Sequence, residues 1–150
     1  MSDGPMVRAA TAGDATTIAA LLGELGYPAD AAAVAPRIAR LLARTDQKIL
    51  IAEDARGVLG LLALAAVPML EYEQDVALIT ALVITERARG TGIGRELVAR
   101  AESLAAAAGA TRFMVTTHVR RAGAHAFYER LGFELTGRRY VKELTGGARC

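Results

Sequence analysis

The chain predicts an α/β (α+β) fold, a mixed sheet flanked by helices, and three observations carry that prediction. Apolar runs of strand character cover residues 48–53, 57–67 and 76–85, joined by turns rather than helices. Four other stretches place apolar side chains at the i, i+3, i+4 spacing of amphipathic helices. The resulting order, β-α-α-β-β-β-α-β-α-β, mixes hairpins with crossovers, so antiparallel and parallel neighbours must share one sheet. At 150 residues and 53% hydrophobic, a single domain with a substantial core is expected.

Each element has its own signal. Residues 6–10 read as a first strand, and Thr11 or Asp14 can cap a helix bearing Ile18, Leu21, Leu22 and Leu25 on one face. Gly26-Tyr27-Pro28 stops it. Asp30 then opens a second helix to residue 43, with Val34, Ile38, Leu41 and Leu42 apolar. Residues 54–57 make a hairpin turn between two strands, and Pro68 ends the second of them. An acidic connection with Glu71, Glu73 and Asp75 leads into the strand at 76–85. A long helix is expected over 93–108, its apolar stripe formed by Leu97, Val98, Ala101, Leu104, Ala105 and Ala108 and its end marked by Gly109. A strand at 112–117, a short helix at 122–131 capped by Gly132, and a final strand or hairpin over 133–144 complete the reading.

Composition narrows the function classes. The net charge is only +2, and arginines are scattered among acids, so a nucleic-acid partner is not supported. The single cysteine, Cys150, allows no internal disulfide and fits a reducing cytoplasm. No basic-then-apolar leader is read in the first residues, and the run at 58–70 is too short to span a bilayer, so no membrane partner is expected. Neither histidine has metal-ligand spacing, and no metal is expected.

The most informative stretch is Arg89-Gly90-Thr91-Gly92-Ile93-Gly94-Arg95, between a strand and a helix start. Such a turn leaves backbone N–H groups unpaired at the positive end of the helix dipole, which suits a phosphate or pyrophosphate. The spacing fails the dinucleotide pattern G-x-G-x-x-G, whose third glycine would fall at Arg95 or Leu97. It also fails the P-loop, because no lysine follows. What remains is R-x-x-G-x-G.

This pattern resembles the pyrophosphate loop of the GNAT N-acetyltransferases, which bind acetyl-CoA. The stretch Leu78-Ile79-Thr80-Ala81-Leu82-Val83-Ile84 is similar to that family's fourth strand. Ala124-His125-Ala126-Phe127-Tyr128-Glu129-Arg130-Leu131-Gly132-Phe133 is similar to its A-x-x-F-Y-x-x-x-G-F segment. The order of elements agrees over most of the chain. The resemblance implies the GNAT acyl-CoA N-acyltransferase fold and direct acetyl transfer from acetyl-CoA to an amine acceptor. A non-catalytic acyl-CoA-binding or regulatory domain of the same fold is the rival, and a protein using the loop for another nucleotide phosphate is a third.

The resemblance also implies roles. Gly90, Thr91, Gly92, Ile93, Gly94 and the flanking Arg89 and Arg95 hold the pyrophosphate; backbone groups of Leu82, Val83 and Ile84 hold the thioester arm. A free N–H near Val83 is expected to stabilise the oxyanion. Tyr128 matches the family's general acid, able to protonate a leaving thiolate whose pKa is about 8.5. The base stays open. Many relatives carry an acid where this chain has Thr80, which can only hold a water. His118 is one candidate, and Glu71, Glu73 and Asp75 are others. The acceptor is not written in the chain, and a homodimer that completes the sheet is possible.

Overall fold

A computed structural model describes residues 4–116 and 122–144. The strands are β1 (Met6–Ala9), β2 (Gln47–Asp54), β3 (Gly57–Val67), β4 (Val76–Ile84) and β5 (Phe113–Val115). The helices are α1 (Ala15–Leu25), α2 (Ala31–Leu42), α3 (Ile93–Ala107) and α4 (Ala122–Arg130). The chain divides into two compact units, one ending at Val115 and the other beginning at Thr116.

In the first unit the five strands lie in the order β1-β2-β3-β4-β5. The first four pair antiparallel and β5 runs parallel to β4, so the sheet is mixed as expected. Strand alternation sends successive side chains to opposite faces. On one face Ile49, Ile51, Leu61 and Val83 meet Ile18 and Leu21 of α1 and Val34 and Ile38 of α2 in one buried cluster. The other face receives α3, whose Leu97, Val98, Ala101 and Ala105 are buried. Each fully buried Leu or Ile here contributes about 1.5–3 kcal/mol relative to leaving it in water.

The start of α2 and the ends of α1 and α3 follow their sequence signals, whereas Asp14 makes no side-chain cap bond to α1. Asp30, where the second helix was expected to open, accepts the N–H of Ala33 on Oδ1 at 2.7 Å and caps α2. Gly26 (φ 105°) ends α1 and Gly109 (φ 95°) follows α3, both in the left-handed region. Before α1, Asp14 accepts the Thr11 N–H at 2.7 Å within a short 3-10 turn, and both of its oxygens take the Arg8 guanidinium at 2.8 and 2.9 Å. Arg8 also donates to Glu53 at 2.7 Å, which joins β1, β2 and the start of α1.

In the second unit Gly132 (φ 94°) follows α4, and the N–H groups of Leu131 and Phe133 both donate to the Tyr128 carbonyl. The strand expected over residues 133–144 is not formed. A strand is stable only with a ladder partner, and none pairs with this segment among the described residues, where Leu135, Tyr140, Val141 and Leu144 are exposed.

Candidate functional site

The site begins with an irregularity in β4. Ala63 pairs with Ala81 but Leu64 pairs with Ile79, so Thr80 is an extra residue, a bulge that shifts the phase of the strand. Before it, the Ala77 N–H donates to Arg112 on the β5 side. After it, the Thr85 N–H donates to Leu59 of β3 at 2.9 Å. Because ladder groups alternate along a strand, Val83 then directs its N–H and C=O at Leu61, and Leu82 and Ile84 direct theirs away from β3. This corrects the expected free amide at Val83. The outward amides belong to its two neighbours, since the bulge moves the register by one residue.

Those outward groups face an edge that is open among the described residues. β5 pairs with β4 only over Ala77–Ile79, whereas β4 continues to Ile84. The Ile84 carbonyl accepts Arg89 Nε at 3.2 Å, which pulls the Arg89 side chain back along the strand end. The second arm of Arg89 lies 3.7 Å from Glu24 on α1.

The turn from β4 to α3 is a short hydrogen-bonded ladder. The Ala88 N–H donates to Thr85, that of Arg89 to Glu86 and that of Thr91 to Ala88, and the Thr91 hydroxyl also donates to Ala88. Gly90 (φ 77°) and Gly92 (φ 92°) then turn the chain through conformations that L side chains avoid. The Glu96 N–H is the first to bond inside the helix, to Gly92. The N–H groups of Gly92, Ile93, Gly94 and Arg95 make no backbone hydrogen bond among the described residues. Ile93 is buried and anchors the helix start, while Gly92 and Arg95 are exposed. Four free donors at a helix N-terminus, with Arg95 in the first turn and Arg89 before it, suit a pyrophosphate.

Two residues that sequence reasoning passed over hold this turn. Arg87 donates to both oxygens of Asp54 at 3.0 and 3.2 Å and to the Gly57 carbonyl at 3.4 Å. The guanidinium holds the Asp54 carboxyl below its ordinary range. The only sequence signal was that Arg87 and Arg89 flank Ala88, with nothing to name Asp54 as a partner. Glu24, the partner of Arg89, carried no sequence signal of its own.

The remaining candidates belong to other segments of the chain. Asp75 adjoins the first residue of β4, so it lies roughly 20 Å along the strand from Leu82 at about 3.3 Å per residue. That distance removes it as a base in direct contact with groups at Leu82. Thr80 is exposed and its hydroxyl donates to the Ala63 carbonyl at 3.3 Å. Glu71 and Glu73 are exposed in the preceding connection. In the second unit, Tyr128 is buried on α4, edge-on to Phe127 at 5.2 Å and to Phe133 at 5.6 Å. His118, with Arg120 and Arg121, lies outside the described residues.

With that geometry in place, comparison with known proteins identifies the family. The sequence matches the acetyltransferase (GNAT) family over residues 18–133. The chain belongs to the GNAT family. Over 87 residues it is 34% identical to the aminoalkylphosphonate N-acetyltransferase of Salmonella typhimurium, which covers 58% of this chain and 56% of that protein. The chain thus matches just over half the length of this relative. Among solved structures, a transcriptional regulator from Bacillus halodurans is similar with a TM-score of 0.88 and 23% identity, covering 94% of this chain and 100% of the other. An aminoglycoside N-acetyltransferase in complex with CoA is similar at 0.84 and 14% identity, over 95% of each chain. These likenesses give the GNAT fold. Among the described residues no helix is long and apolar enough to cross a membrane.

Proposed function

We propose that this GNAT chain is an acetyl-CoA-dependent N-acetyltransferase that passes an acetyl group directly to a primary amine. The observation that carries this reading is the row of unpaired N–H groups from Gly92 to Arg95, set beside the open edge of β4. The match to the family over residues 18–133 and the N-acetyltransferase relative support the reaction, and the CoA complex of the aminoglycoside enzyme supports the donor. The family match runs across both compact units, which supports a single functional domain.

Acetyl-CoA supplies an acyl group already activated as a thioester. Gly90, Thr91, Gly92, Ile93, Gly94 and Arg95 cradle the pyrophosphate, and Arg89 adds a cation at its rim. Leu82 and Ile84 offer outward backbone groups to the pantetheine arm, and one of their amides receives the charge that develops on the carbonyl oxygen. The amine nitrogen bonds to that carbonyl carbon, the C–S bond breaks, and the nitrogen sheds the N–H proton that the amide does not keep, which balances the proton given to the sulfur. Tyr128 donates its phenolic proton to the departing sulfur. The amine must first lose a proton, since at a pKa near 10 only about one part in a thousand is neutral at pH 7. His118 is the proposed acceptor of that proton. No metal enters the scheme, and a cytoplasmic site of action suits the lone Cys150 thiol.

The test is an acetyl-transfer screen over small amines, begun with aminoalkylphosphonates because of the Salmonella relative, then aminoglycosides, polyamines and peptide N-termini. Calorimetry with acetyl-CoA, NAD and ATP accompanies it. Acetylation of any amine above the uncatalysed rate is the expected result. Acetyl-CoA binding with no transfer across the panel would replace this reading by a non-catalytic acyl-CoA-binding domain, and tight NAD or ATP binding without CoA would overturn both.

A further inference from the structure

We infer that the Asp54–Arg87 ion pair is the positioning device of the anion cradle, fixing the turn before α3 to the β2–β3 hairpin. The inference rests on the proposed CoA reading only for its binding assay. Its basis is a set of bonds that tie residues 85–87 to β3 and to the hairpin at 54–57. Thr85 hangs from β3 by two bonds to the Leu59 carbonyl, its N–H at 2.9 Å and its hydroxyl at 3.1 Å. Two residues later, Arg87 clamps Asp54 through both terminal nitrogens and also reaches the Gly57 carbonyl. The anchor is itself held, because Asp54 Oδ1 accepts the Arg56 N–H at 2.9 Å inside the hairpin turn, and Asp54 and Gly57 form the last rung of the β2–β3 ladder.

From this fixed segment the chain runs through Ala88 and Arg89 into Gly90 and Gly92. Both glycines are in left-handed conformations with nothing within 4 Å of a Cβ position, so no side-chain contact holds them in place. The direction of the free N–H groups at Gly92–Arg95 is therefore set by what precedes them and by the buried Ile93. Of those two anchors, only the first includes a charged pair. A fork-to-carboxylate contact fixes orientation as well as distance, which a lysine in the same place cannot do.

A simple charge effect predicts the opposite sign. Asp54 is an anion near a site for a polyanion. By long-range electrostatics its removal, leaving Arg87 unpaired, should tighten binding of CoA. If the pair positions the turn, D54N loosens the cradle and weakens binding. R87K keeps the charge and loses the fork, so it too weakens binding.

The experiment uses the full chain. Acetyl-CoA affinity is measured by calorimetry for wild type, D54N, R87K and the double variant, and amide hydrogen exchange is followed in peptides covering residues 85–95. Each single variant is expected to weaken binding roughly three- to tenfold, with the double variant no worse than the weaker single. Exchange in 85–95 should accelerate while β2, β3 and α3 beyond its first turn keep their protection. Tighter binding in D54N, or unchanged exchange in 85–95 for both variants, overturns the inference. Absence of acetyl-CoA binding by the wild type overturns the proposed function instead, and the exchange measurement then decides the positioning role on its own.

Discussion

Gly60 on β3 and Leu97 on α3 approach so closely that a Cβ at residue 60 would lie 3.2 Å from Leu97 Cδ1. The same Cβ would be 2.8 Å from Ile84 Cδ1 and 3.0 Å from the Val83 carbonyl oxygen. A backbone oxygen in a paired strand cannot move aside, so the crowding is not relieved by a rotamer change alone. Gly60→Ala is expected to cost about 1–3 kcal/mol as overpacking. The displaced groups, Ile84 and Leu97, are the end of the open strand edge and the first buried turn of α3. Acetyl-CoA affinity should fall together with the thermal midpoint in calorimetry, and an unchanged midpoint would show that the interface has slack.

The Arg8–Asp14 pair gives the fold a defined acid limit. Arg8 hydrogen bonds hold the Asp14 carboxyl at a pKa of about 2, against an ordinary value of 3.8. A carboxyl lowered on folding contributes stability above its unfolded pKa and loses it as the pH falls toward the folded value. The contribution is about 2 kcal/mol at neutral pH. Asp14→Asn should lose that amount at pH 7, and the difference from wild type should shrink as pH falls from about 4 to about 2. Urea unfolding of both proteins across that range measures it; a difference independent of pH would assign the cost to packing.

Much of this molecule was legible in the sequence because its signals are local. The hairpin at residues 54–57, the Asp30 cap and the glycines after α1, α3 and α4 all act within a few residues of themselves. The glycine turn was legible for the same reason. The Thr80 bulge was not, since a one-residue shift depends on how β3 and β4 register, and no residue type at Thr80 requires it. That is why Val83 was read as the outward amide when its neighbours hold that place. Asp54 and Glu24 were invisible because their partners lie 33 and 65 positions away, and an isolated acid in sequence has no direction.

Gly92 is the one cradle glycine at the junction of the turn and α3, with φ at 92° and its carbonyl accepting from Glu96. A Cβ meets no atom there, so Gly92→Ala pays only for the backbone conformation, about 1–2 kcal/mol. The chain can relieve that strain by rotating the peptide, which re-aims the free N–H row. Acetyl-CoA affinity is expected to drop roughly tenfold while the global unfolding midpoint moves little. Equal affinity in the variant would detach the row from phosphate binding.

Glu24 shares Arg89 with the proposed anion. The pair is 3.7 Å apart with side chains 58% and 37% exposed, so it is weak and easily displaced. Removing the carboxylate frees the cation for a phosphate and removes a like charge from the site. Glu24→Gln should therefore bind acetyl-CoA roughly two- to threefold more tightly at low salt. The gain should vanish in molar salt, where the Debye length is about 3 Å. Weaker binding in calorimetry at low salt would instead give Glu24 a direct role in holding the donor.

Tyr128 tests the chemistry apart from binding. Its ring is buried against Phe127 and Phe133 with interplanar angles of 69° and 74°, and Tyr128→Phe preserves both edge contacts. The cost to stability should stay near 1 kcal/mol, the worth of one hydroxyl hydrogen bond. Without the phenolic proton, the thiolate must leave unprotonated or take its proton from water. Turnover is expected to fall roughly a hundredfold or more at unchanged acetyl-CoA affinity. The loss should be smaller for an acyl donor with a more acidic thiol, because that sulfur needs the proton less. Equal losses for the two donors, measured in steady-state kinetics, would move Tyr128 from proton donor to a packing role on α4.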